Sequence, residues 1–159
     1  MSGGITGTDL DNGYDMIPHW THIIIHHSLT EDGKTVSWDD IRRFHMTDPA
    51  YMFSDIGYHG GIELVDNDYV VLAGRPLNVK GAHCRDKGMN SVALGFCFVG
   101  NYDLVEPSIK MIVRAAPHLR AWMEIFKIPV SNVTMHRDYS TKTCPGSKFD
   151  ISILRDLLK

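Results

Sequence analysis

Short runs of apolar and β-branched residues recur along the chain, separated by polar and glycine-containing segments. Residues 21–27 lack period-two alternation, which predicts a central strand covered on both faces. Residues 92–99 predict a second buried strand, and residues 133–136 a short third strand. Because all three runs are flanked by segments of helical periodicity, the pattern favours a sheet that is packed between helices.

A β-hairpin is predicted between the first two of these runs. Residues 58–65 and 69–73 carry strand-forming side chains on either side of Asp66-Asn67-Asp68. Short polar residues tolerate the backbone conformations of a tight turn, so the two segments are expected to pair antiparallel.

Helical periodicity occurs in three places. Ser37 and Asp40 have the spacing of a capping box, and Ile41 and Phe44 then mark the buried face of a helix that ends near Met46. Residues 107–126 predict a long amphipathic helix with these apolar positions: Ile109, Ile112, Val113, Ala116, Leu119 and Met123. Pro117 predicts that this helix is kinked or split in two. Residues 151–158 predict a final helix with Asp150 as its cap.

These elements predict one α/β domain with a mixed central β-sheet flanked by helices. A chain of 159 residues and 17.9 kDa has the usual size of a single domain. The glycine- and aspartate-rich residues 1–17 are expected to form a flexible tail, which leaves residues 18–159 as the folded unit.

Charge and hydropathy exclude several functional classes. The net charge is −3 and the lysines and arginines are scattered, so nucleic acid is not expected as a partner. The longest apolar runs are far shorter than a membrane span, and the first twenty residues lack the pattern of a secretory signal. Three cysteines at irregular spacing do not describe a disulfide framework.

Candidate metal ligands occur where predicted strands end. His26 and His27 close the first strand, His136 closes the short strand, and Cys144 follows eight residues later. Two imidazoles and one thiolate are suitable zinc ligands, and three protein ligands leave a fourth place for water, as in catalytic sites. His26 alone is equally compatible with a hydrogen-bonded role in the core, and Cys144 alone is more typical of a small buried apolar residue, so this hypothesis depends on the three side chains meeting. Cys84 and Cys97 receive no functional role.

Five segments, taken together and in this order, resemble the N-acetylmuramoyl-L-alanine amidases of phage lysins and peptidoglycan recognition proteins. They span nearly all of residues 20–159, and they are Ile25-His26-His27-Ser28, Ile56-Gly57-Tyr58-His59, Ala73-Gly74-Arg75, Gly81-Ala82-His83 with residues 90–100, and His136-Arg137-Asp138 through Cys144-Pro145-Gly146. Each segment alone is a weak signal, whereas five in the family's order form a specific one.

The resemblance implies both an activity and a ligand set. It implies hydrolysis of the amide between the lactyl group of N-acetylmuramic acid and L-alanine in peptidoglycan, with residues 18–159 as the catalytic domain. It implies one Zn²⁺ ion held by three side chains and two residues that assist catalysis. These ligands are His26, His136 and Cys144, and the assisting residues are Tyr58 and Lys142.

The same resemblance implies that His83 and Asn90 line the substrate groove, although both are also compatible with local loop hydrogen bonds. His27, His45 and His59 are candidates for orienting a metal ligand. Gly60-Gly61 stands where the family usually has a larger apolar residue, so the strand is expected to be weakened there.

Three other functions remain open at this point. Recognition proteins of the family that lack the cysteine bind peptidoglycan without cutting it, and cytoplasmic recycling amidases use an aspartate ligand and a glutamate base. Binding to a polymerase is known in one relative. Cys144 and Tyr58 favour a phage endolysin, expected to be a monomer that stays in the host cytoplasm until another protein opens the membrane.

Overall fold

The computed structural model describes residues 18–31 and 37–159, so the predicted tail at residues 1–17 lies outside the described part of the chain. Five strands are β1 (His22–His27), β2 (Gly60–Val65), β3 (Asp68–Ala73), β4 (Ala93–Phe98) and β5 (Val133–Met135). Three α-helices are α1 (Trp38–Thr47), α2 (Ile109–Phe126) and α3 (Ile151–Leu158). Short 3-10 turns cover Asp86–Ser91, Val130–Asn132 and His136–Asp138.

The five strands form one mixed sheet in the order β3-β2-β4-β1-β5. β1 pairs parallel with both β4 and β5, β2 pairs parallel with β4, and only β2 and β3 pair antiparallel. The predicted α/β fold with a mixed sheet is therefore confirmed. β1 lies between two parallel neighbours, as its uniformly apolar run predicts, and its C-terminal end opens at the same edge of the sheet as that of β5.

The main core lies between the sheet and the two C-terminal helices. It includes Ile23 and Ile25 of β1, Phe96 of β4 and Leu119 of α2, and it continues into α3. A smaller core on the other side contains Trp38 of α1. Within residues 18–31 and 37–159, no helix is both long enough and apolar enough to cross a bilayer.

Helix α1 begins as its capping box predicts. The Ser37 side chain accepts from the Asp40 backbone N–H, and the Asp40 carboxylate accepts from the Ser37 backbone N–H. Ile41 is buried as expected, but the prediction for Phe44 was wrong, since 52% of this residue is exposed. Its ring faces a cavity instead of the core.

Helix α2 is continuous through Pro117, so the predicted split into two helices was wrong. Proline removes one backbone donor, but Pro117 and Val113 lie on the exposed side, where water can satisfy the freed carbonyl. The predicted apolar face was also partly wrong, because Ile109 and Val113 are exposed. The residues that α2 buries are Met111, Ile112, Ala115, Ala116, Leu119 and Trp122.

The hairpin and the last helix follow the local sequence. Asp66 and Asn67 both have positive φ and form the turn, whereas Asp68 is already part of β3. Helix α3 begins after Asp150, whose carboxylate accepts from the Ser152 backbone N–H. That predicted cap is confirmed.

The glycine pair in β2 does not weaken the strand, so this expectation was wrong. Gly60 and Gly61 are paired with β3 on one side and with β4 on the other. A Cβ atom at Gly61 would lie 2.3 Å from the Trp38 ring, and one at Gly60 would lie 3.1 Å from the Trp122 ring. The two glycines therefore make room for a tryptophan on each face of the sheet.

Candidate metal centre

Backbone topology brings the three predicted metal ligands to one edge of the sheet. His26 is near the end of β1, and His136 follows directly after β5, its parallel neighbour. The chain then turns back, and the Arg137 backbone N–H donates to the Cys144 carbonyl over 2.8 Å. This bond returns Cys144 to the vicinity of His136, although eight residues separate them in sequence.

The three side chains meet in space. One ligand atom from each of His26, His136 and Cys144 lies within 4.8 Å of the other two. Cys144 Sγ is 3.6 Å from His26 Nδ1, and the ring centroids of His26 and His136 are 4.7 Å apart. All three residues are buried, with exposed fractions of 2%, 8% and 8%. Their convergence is the geometry that a three-ligand zinc site requires.

The proton arrangement on His26 also suits metal binding. His26 Nε2 lies 2.9 Å from His83 Nδ1, and His83 Nε2 lies 3.0 Å from the Ala93 carbonyl oxygen. A carbonyl only accepts, so His83 carries its proton on Nε2 and accepts at Nδ1 from His26 Nε2–H. The lone pair of His26 Nδ1 is therefore directed at the Cys144 thiol, whose Sγ lies 3.6 Å away. Nitrogen and sulfur donors in this arrangement fit zinc.

Burial shifts the pKa values of all three groups toward their neutral forms. It lowers the pKa of His26 well below its usual value, with further lowering by neighbouring His83, and it lowers the pKa of His136. It raises the pKa of the Cys144 thiol to about 11, although the His27 backbone N–H and the Lys142 charge act in the opposite direction. Both imidazoles are thus ready to donate a lone pair, whereas the thiol must lose its proton when a metal binds.

The metal-ligand cluster forms the floor of a cavity of about 570 Å³, a size typical of ligand sites. Tyr58 and Lys142, the two residues expected to assist catalysis, both line this cavity. Residues from β1, α1 and the loop after α1 form the remaining walls. The cavity therefore brings the predicted ligands and the two predicted catalytic residues together.

Tyr58 lies beside the metal ligands as a neutral phenol. Its ring centroid is 5.1 Å from that of His26, and its hydroxyl is hydrogen-bonded to the Cys97 thiol. Burial raises the pKa of Tyr58 well above its usual value, and the neighbouring Cys97 and Cys144 thiols raise it further. A phenol with a raised pKa donates a hydrogen bond but is a poor base. Cys97, which has no predicted role, is thus a hydrogen-bond partner of this hydroxyl.

Lys142 supplies positive charge at the opening of the cavity. Its side chain is exposed, and its charge lowers the pKa values of His26, His136 and Cys144. An ammonium that influences all three groups is close enough to interact with a substrate held beside them.

His83 and Asn90 differ in where the structure places them. His83 lines the cavity, but its ring bonds His26 on one side and the Ala93 carbonyl on the other. Asn90 Oδ1 accepts from the backbone N–H groups of His83 and Cys84, both over 2.8 Å. Asn90 therefore holds the loop that carries His83.

The three histidines predicted to orient a ligand bond backbone groups. His27 Nδ1 accepts from the Tyr102 backbone N–H, and His45 Nδ1 accepts from that of Gly57. His59 Nδ1 accepts from the Gly95 backbone N–H, while its Nε2 donates to the Val79 carbonyl. In the described part of the chain, it is His83 that hydrogen-bonds the candidate ligand His26.

Sequence reasoning missed the aromatic wall of the cavity. Phe44, Tyr51 and Phe53 line it together with His45, and Phe44 and Tyr51 are about half exposed. Their rings contact one another edge to face, with centroids 5.4 and 5.3 Å apart. The 3.6-residue period placed Phe44 on a buried face, and nothing in the local pattern separates a core ring from one that faces a cavity.

A second group of possible metal ligands shares one residue with the first. Ligand atoms of Cys84, Asp86 and His136 also lie within 4.8 Å of one another, and His136 Nε2 is 3.8 Å from Asp86 Oδ2. Burial raises the pKa of the Cys84 thiol to about 11, and the Asp86 side chain is half exposed. Both groups use His136, and the Asp86 carboxylate, at 3.8 Å, is a charged neighbour of this imidazole that lies beyond hydrogen-bonding distance.

The buried histidines predict that the metal-free protein loses stability in acid. Burial lowers the pKa of His59 from its usual value of 6.5 to about 4. A histidine whose pKa is lowered by folding leaves the unfolding free energy undiminished above pH 6.5. The unfolding free energy then decreases as pH falls toward 4, because the unfolded state binds the proton more readily. His59 alone corresponds to about 3 kcal/mol of unfolding free energy. Urea denaturation of the metal-free protein between pH 7.5 and pH 4 measures this loss.

The matched variants for this measurement are His59→Asn and His19→Asn. His59→Asn keeps an acceptor for the Gly95 N–H but cannot titrate, so the pH dependence becomes shallower. His19 is exposed, and its replacement is expected to leave the slope unchanged. An unfolding free energy that stays constant from pH 7.5 to pH 4 contradicts the prediction.

Comparison with known proteins identifies the family of this chain. Residues 17–147 match the family described as N-acetylmuramoyl-L-alanine amidase. The endolysin of Klebsiella phage KP32 is 29% identical over 134 residues, which cover 82% of this chain and 82% of that protein. Peptidoglycan-recognition protein SC2 of Drosophila melanogaster is 28% identical over 133 residues, which cover 80% and 68% of the two chains.

Solved structures show the same fold. The endolysin LysCS, an N-acetylmuramoyl-L-alanine amidase from Clostridium intestinale, superposes with a TM-score of 0.75 at 24% identity, over 88% of this chain and 84% of that one. A Drosophila PGRP-LB mutant bound to tracheal cytotoxin gives 0.67 at 26% identity, over 87% and 85%. The family match covers most of the chain, including His26, His136 and Cys144. The chain therefore belongs to the N-acetylmuramoyl-L-alanine amidase family.

Proposed function

We propose that this protein is a zinc-dependent N-acetylmuramoyl-L-alanine amidase of the phage endolysin type. It hydrolyses the amide between the lactyl group of N-acetylmuramic acid and the first L-alanine of the stem peptide, and residues 18–159 form its catalytic domain. The observation that carries the proposal is the convergence of His26, His136 and Cys144 within 4.8 Å on the floor of a cavity. The similarity to the phage KP32 endolysin favours the endolysin type.

His26, His136 and Cys144 would hold one zinc ion and leave one coordination position open toward the cavity. When bound, zinc would supply Lewis-acid chemistry, since it would polarise the amide carbonyl and lower the pKa of water to about 7. The Asp86 carboxylate beside His136 and the His27 backbone N–H beside Cys144 support two of these ligands.

Lys142 and Tyr58 act on the reacting amide. As the carbonyl oxygen gains negative charge in the transition state, the Lys142 ammonium at the cavity opening stabilises it. The Tyr58 hydroxyl acts as a neutral donor, since its pKa is raised by burial. Asp40, a carboxylate on the cavity wall, accepts hydrogen bonds from Ser37 and caps α1, so we assign it no proton transfer.

The cavity suits a substrate with both polar and apolar faces. Phe44, Tyr51 and Phe53 offer an aromatic wall, while Ser28 and Thr30 offer hydroxyl groups. Muramyl peptide combines a pyranose ring, an apolar lactyl methyl group and amides, and such surfaces pack on aromatic rings and bond hydroxyls.

We further propose that the protein acts as a monomer, remains in the host cytoplasm and reaches the wall when another protein opens the membrane.

Removal of metal tests the proposal. Purified protein is incubated with peptidoglycan before and after treatment with a chelator, and released L-alanine amino groups are counted. Chelation is expected to abolish release, and one equivalent of zinc is expected to restore it, because the proposed reaction depends on zinc as the electrophile.

The same assay distinguishes the rival functions. Binding to peptidoglycan without any release of peptide, with zinc present, supports a recognition module and contradicts an amidase. Release only from small soluble muropeptides, with intact wall left uncut, supports a recycling enzyme. Cys144 in the ligand cluster favours the endolysin over both, since the sequence comparison with those classes predicted its loss or replacement.

A further inference from the structure

We propose that His83 is a positioning residue that fixes the tautomer and orientation of His26, so that His26 Nδ1 binds the metal. This inference rests on the proposed function, since it concerns the same metal centre. It changes the role expected for His83, from contact with the substrate to control of a metal ligand.

A buried chain of hydrogen bonds carries the proposal. The Ala93 carbonyl belongs to β4 and is 3.0 Å from His83 Nε2, and His83 Nδ1 is 2.9 Å from His26 Nε2. The direction of both bonds is set at the Ala93 end, because a carbonyl oxygen has no proton to give. His83 therefore accepts from His26, and His26 carries its proton on Nε2.

The backbone at Gly81 and Gly95 packs closely against the His83 ring. A Cβ atom at Gly95 would lie 2.5 Å from His83 Cγ, and one at Gly81 would lie 2.5 Å from His83 Cδ2. A side chain at either position would occupy the volume of the ring, so the absence of Cβ atoms lets the backbone enclose it. The ring planes of His26 and His83 are nearly perpendicular, at 88°.

The backbone of His83 is held as firmly as its ring. Asn90 Oδ1 accepts from the N–H groups of His83 and Cys84, and the Asn90 backbone N–H donates to the Cys84 carbonyl over 2.9 Å. His83 is 9% exposed, and His26 is 2% exposed. Since both ring and backbone are fixed, His83 is a rigid acceptor and not an adaptable substrate contact.

This arrangement has a consequence for metal binding. Neutral imidazole exists as two tautomers, and a His26 ring protonated on Nδ1 would present an N–H group to Cys144 and to the metal. The His83 acceptor selects the other tautomer, which presents a lone pair there. Groups that orient a metal-bound histidine in this way typically contribute 10–100-fold in affinity.

The test measures zinc affinity in full-length protein by competition with a chromophoric chelator, in wild type, His83→Leu, His83→Asn and His26→Ala. His83→Leu removes the acceptor and is expected to weaken zinc binding about 10–100-fold. His83→Asn keeps an acceptor oxygen near the position of Nδ1 and is expected to stay within about threefold of wild type. Equal losses in the Leu and Asn variants overturn the proposal, because they indicate a packing role only.

His26→Ala separates this proposal from the proposed function. If His26→Ala loses zinc and His83→Leu does not, the positioning role is wrong while the metal centre stands. If His26→Ala also retains wild-type affinity, the metal centre itself is wrong.

A measurement on the wild type keeps the proposal testable should His83→Leu fail to fold. Long-range proton–nitrogen correlation spectra of the metal-free protein distinguish the two tautomers of each histidine ring. The expected result is His26 protonated on Nε2 and His83 protonated on Nε2. A His26 ring protonated on Nδ1 overturns the proposal.

Discussion

Cys144→Ser is expected to abolish zinc retention and to lower peptidoglycan hydrolysis by about a thousandfold or more. A hydroxyl is a much poorer ligand than a thiolate, and two imidazoles alone hold zinc weakly. The loss of zinc removes its effect on the pKa of water and on the amide carbonyl, which accounts for the size of the rate effect. Zinc content after dialysis and the rate of amide hydrolysis are the two measurements.

Cys84→Ser is the matched control for this variant. Cys84 is also buried, with an exposed fraction of 1%, and it belongs to the alternative ligand group with Asp86 and His136. It is expected to retain one zinc ion and most of the activity. A zinc-replete and active Cys144→Ser protein contradicts the ligand assignment, and zinc loss in Cys84→Ser instead indicates that the metal lies in the alternative group.

Lys142→Ala is expected to lower kcat by about a hundredfold while zinc content, fold and KM change little. The ammonium interacts with charge that develops on the oxygen during the reaction, so its loss raises the barrier by roughly 3 kcal/mol. The Lys142 side chain is exposed and makes no contribution to the core, so stability is expected to remain unchanged. Steady-state kinetics on a soluble muramyl peptide measure both constants.

Lys110→Ala serves as the control for the loss of one positive charge. Lys110 is exposed on α2 and does not line the cavity. Its removal is expected to leave kcat within about twofold of wild type, since an exposed charge outside the cavity is screened by solvent and salt. Equal kinetics for Lys142→Ala and wild type remove Lys142 from the mechanism.

Features set by neighbouring residues were predictable from the sequence. The unbroken apolar run before His26 specifies a strand buried on both faces, and the capping groups of Ser37 and Asp150 act within three residues. The two helix starts therefore follow from local chemistry alone. The resemblance in five ordered segments then supplied the fold family, which the family match confirms.

Features set by distant contacts were not predictable. The hydrogen bond between His26 and His83 joins residues 57 positions apart, and the sequence contains no sign of it. The sequence predicts that Gly61 weakens β2, but the space of its absent side chain is filled by Trp38 of α1, which is distant in sequence. Local periodicity cannot distinguish these cases, since it reports only which face of an element is apolar.

The buried face of an amphipathic helix is also hard to predict when apolar residues occur on more than one side of the helix. In α2, both Ile109 and Met111 are apolar, but only Met111 is buried. The choice depends on how α2 sits against β3 and α3, which is a property of tertiary packing.

X-ray absorption at the zinc edge of the zinc-loaded protein directly tests whether His26, His136 and Cys144 hold one zinc ion. The account predicts one zinc ion per chain with one sulfur neighbour at about 2.3 Å, two imidazole nitrogens and one light-atom neighbour from solvent. Cys144→Ser is expected to retain no zinc, whereas Cys84→Ser is expected to show the same sulfur neighbour as the wild type. A zinc ion without a sulfur neighbour in the wild-type protein contradicts the account.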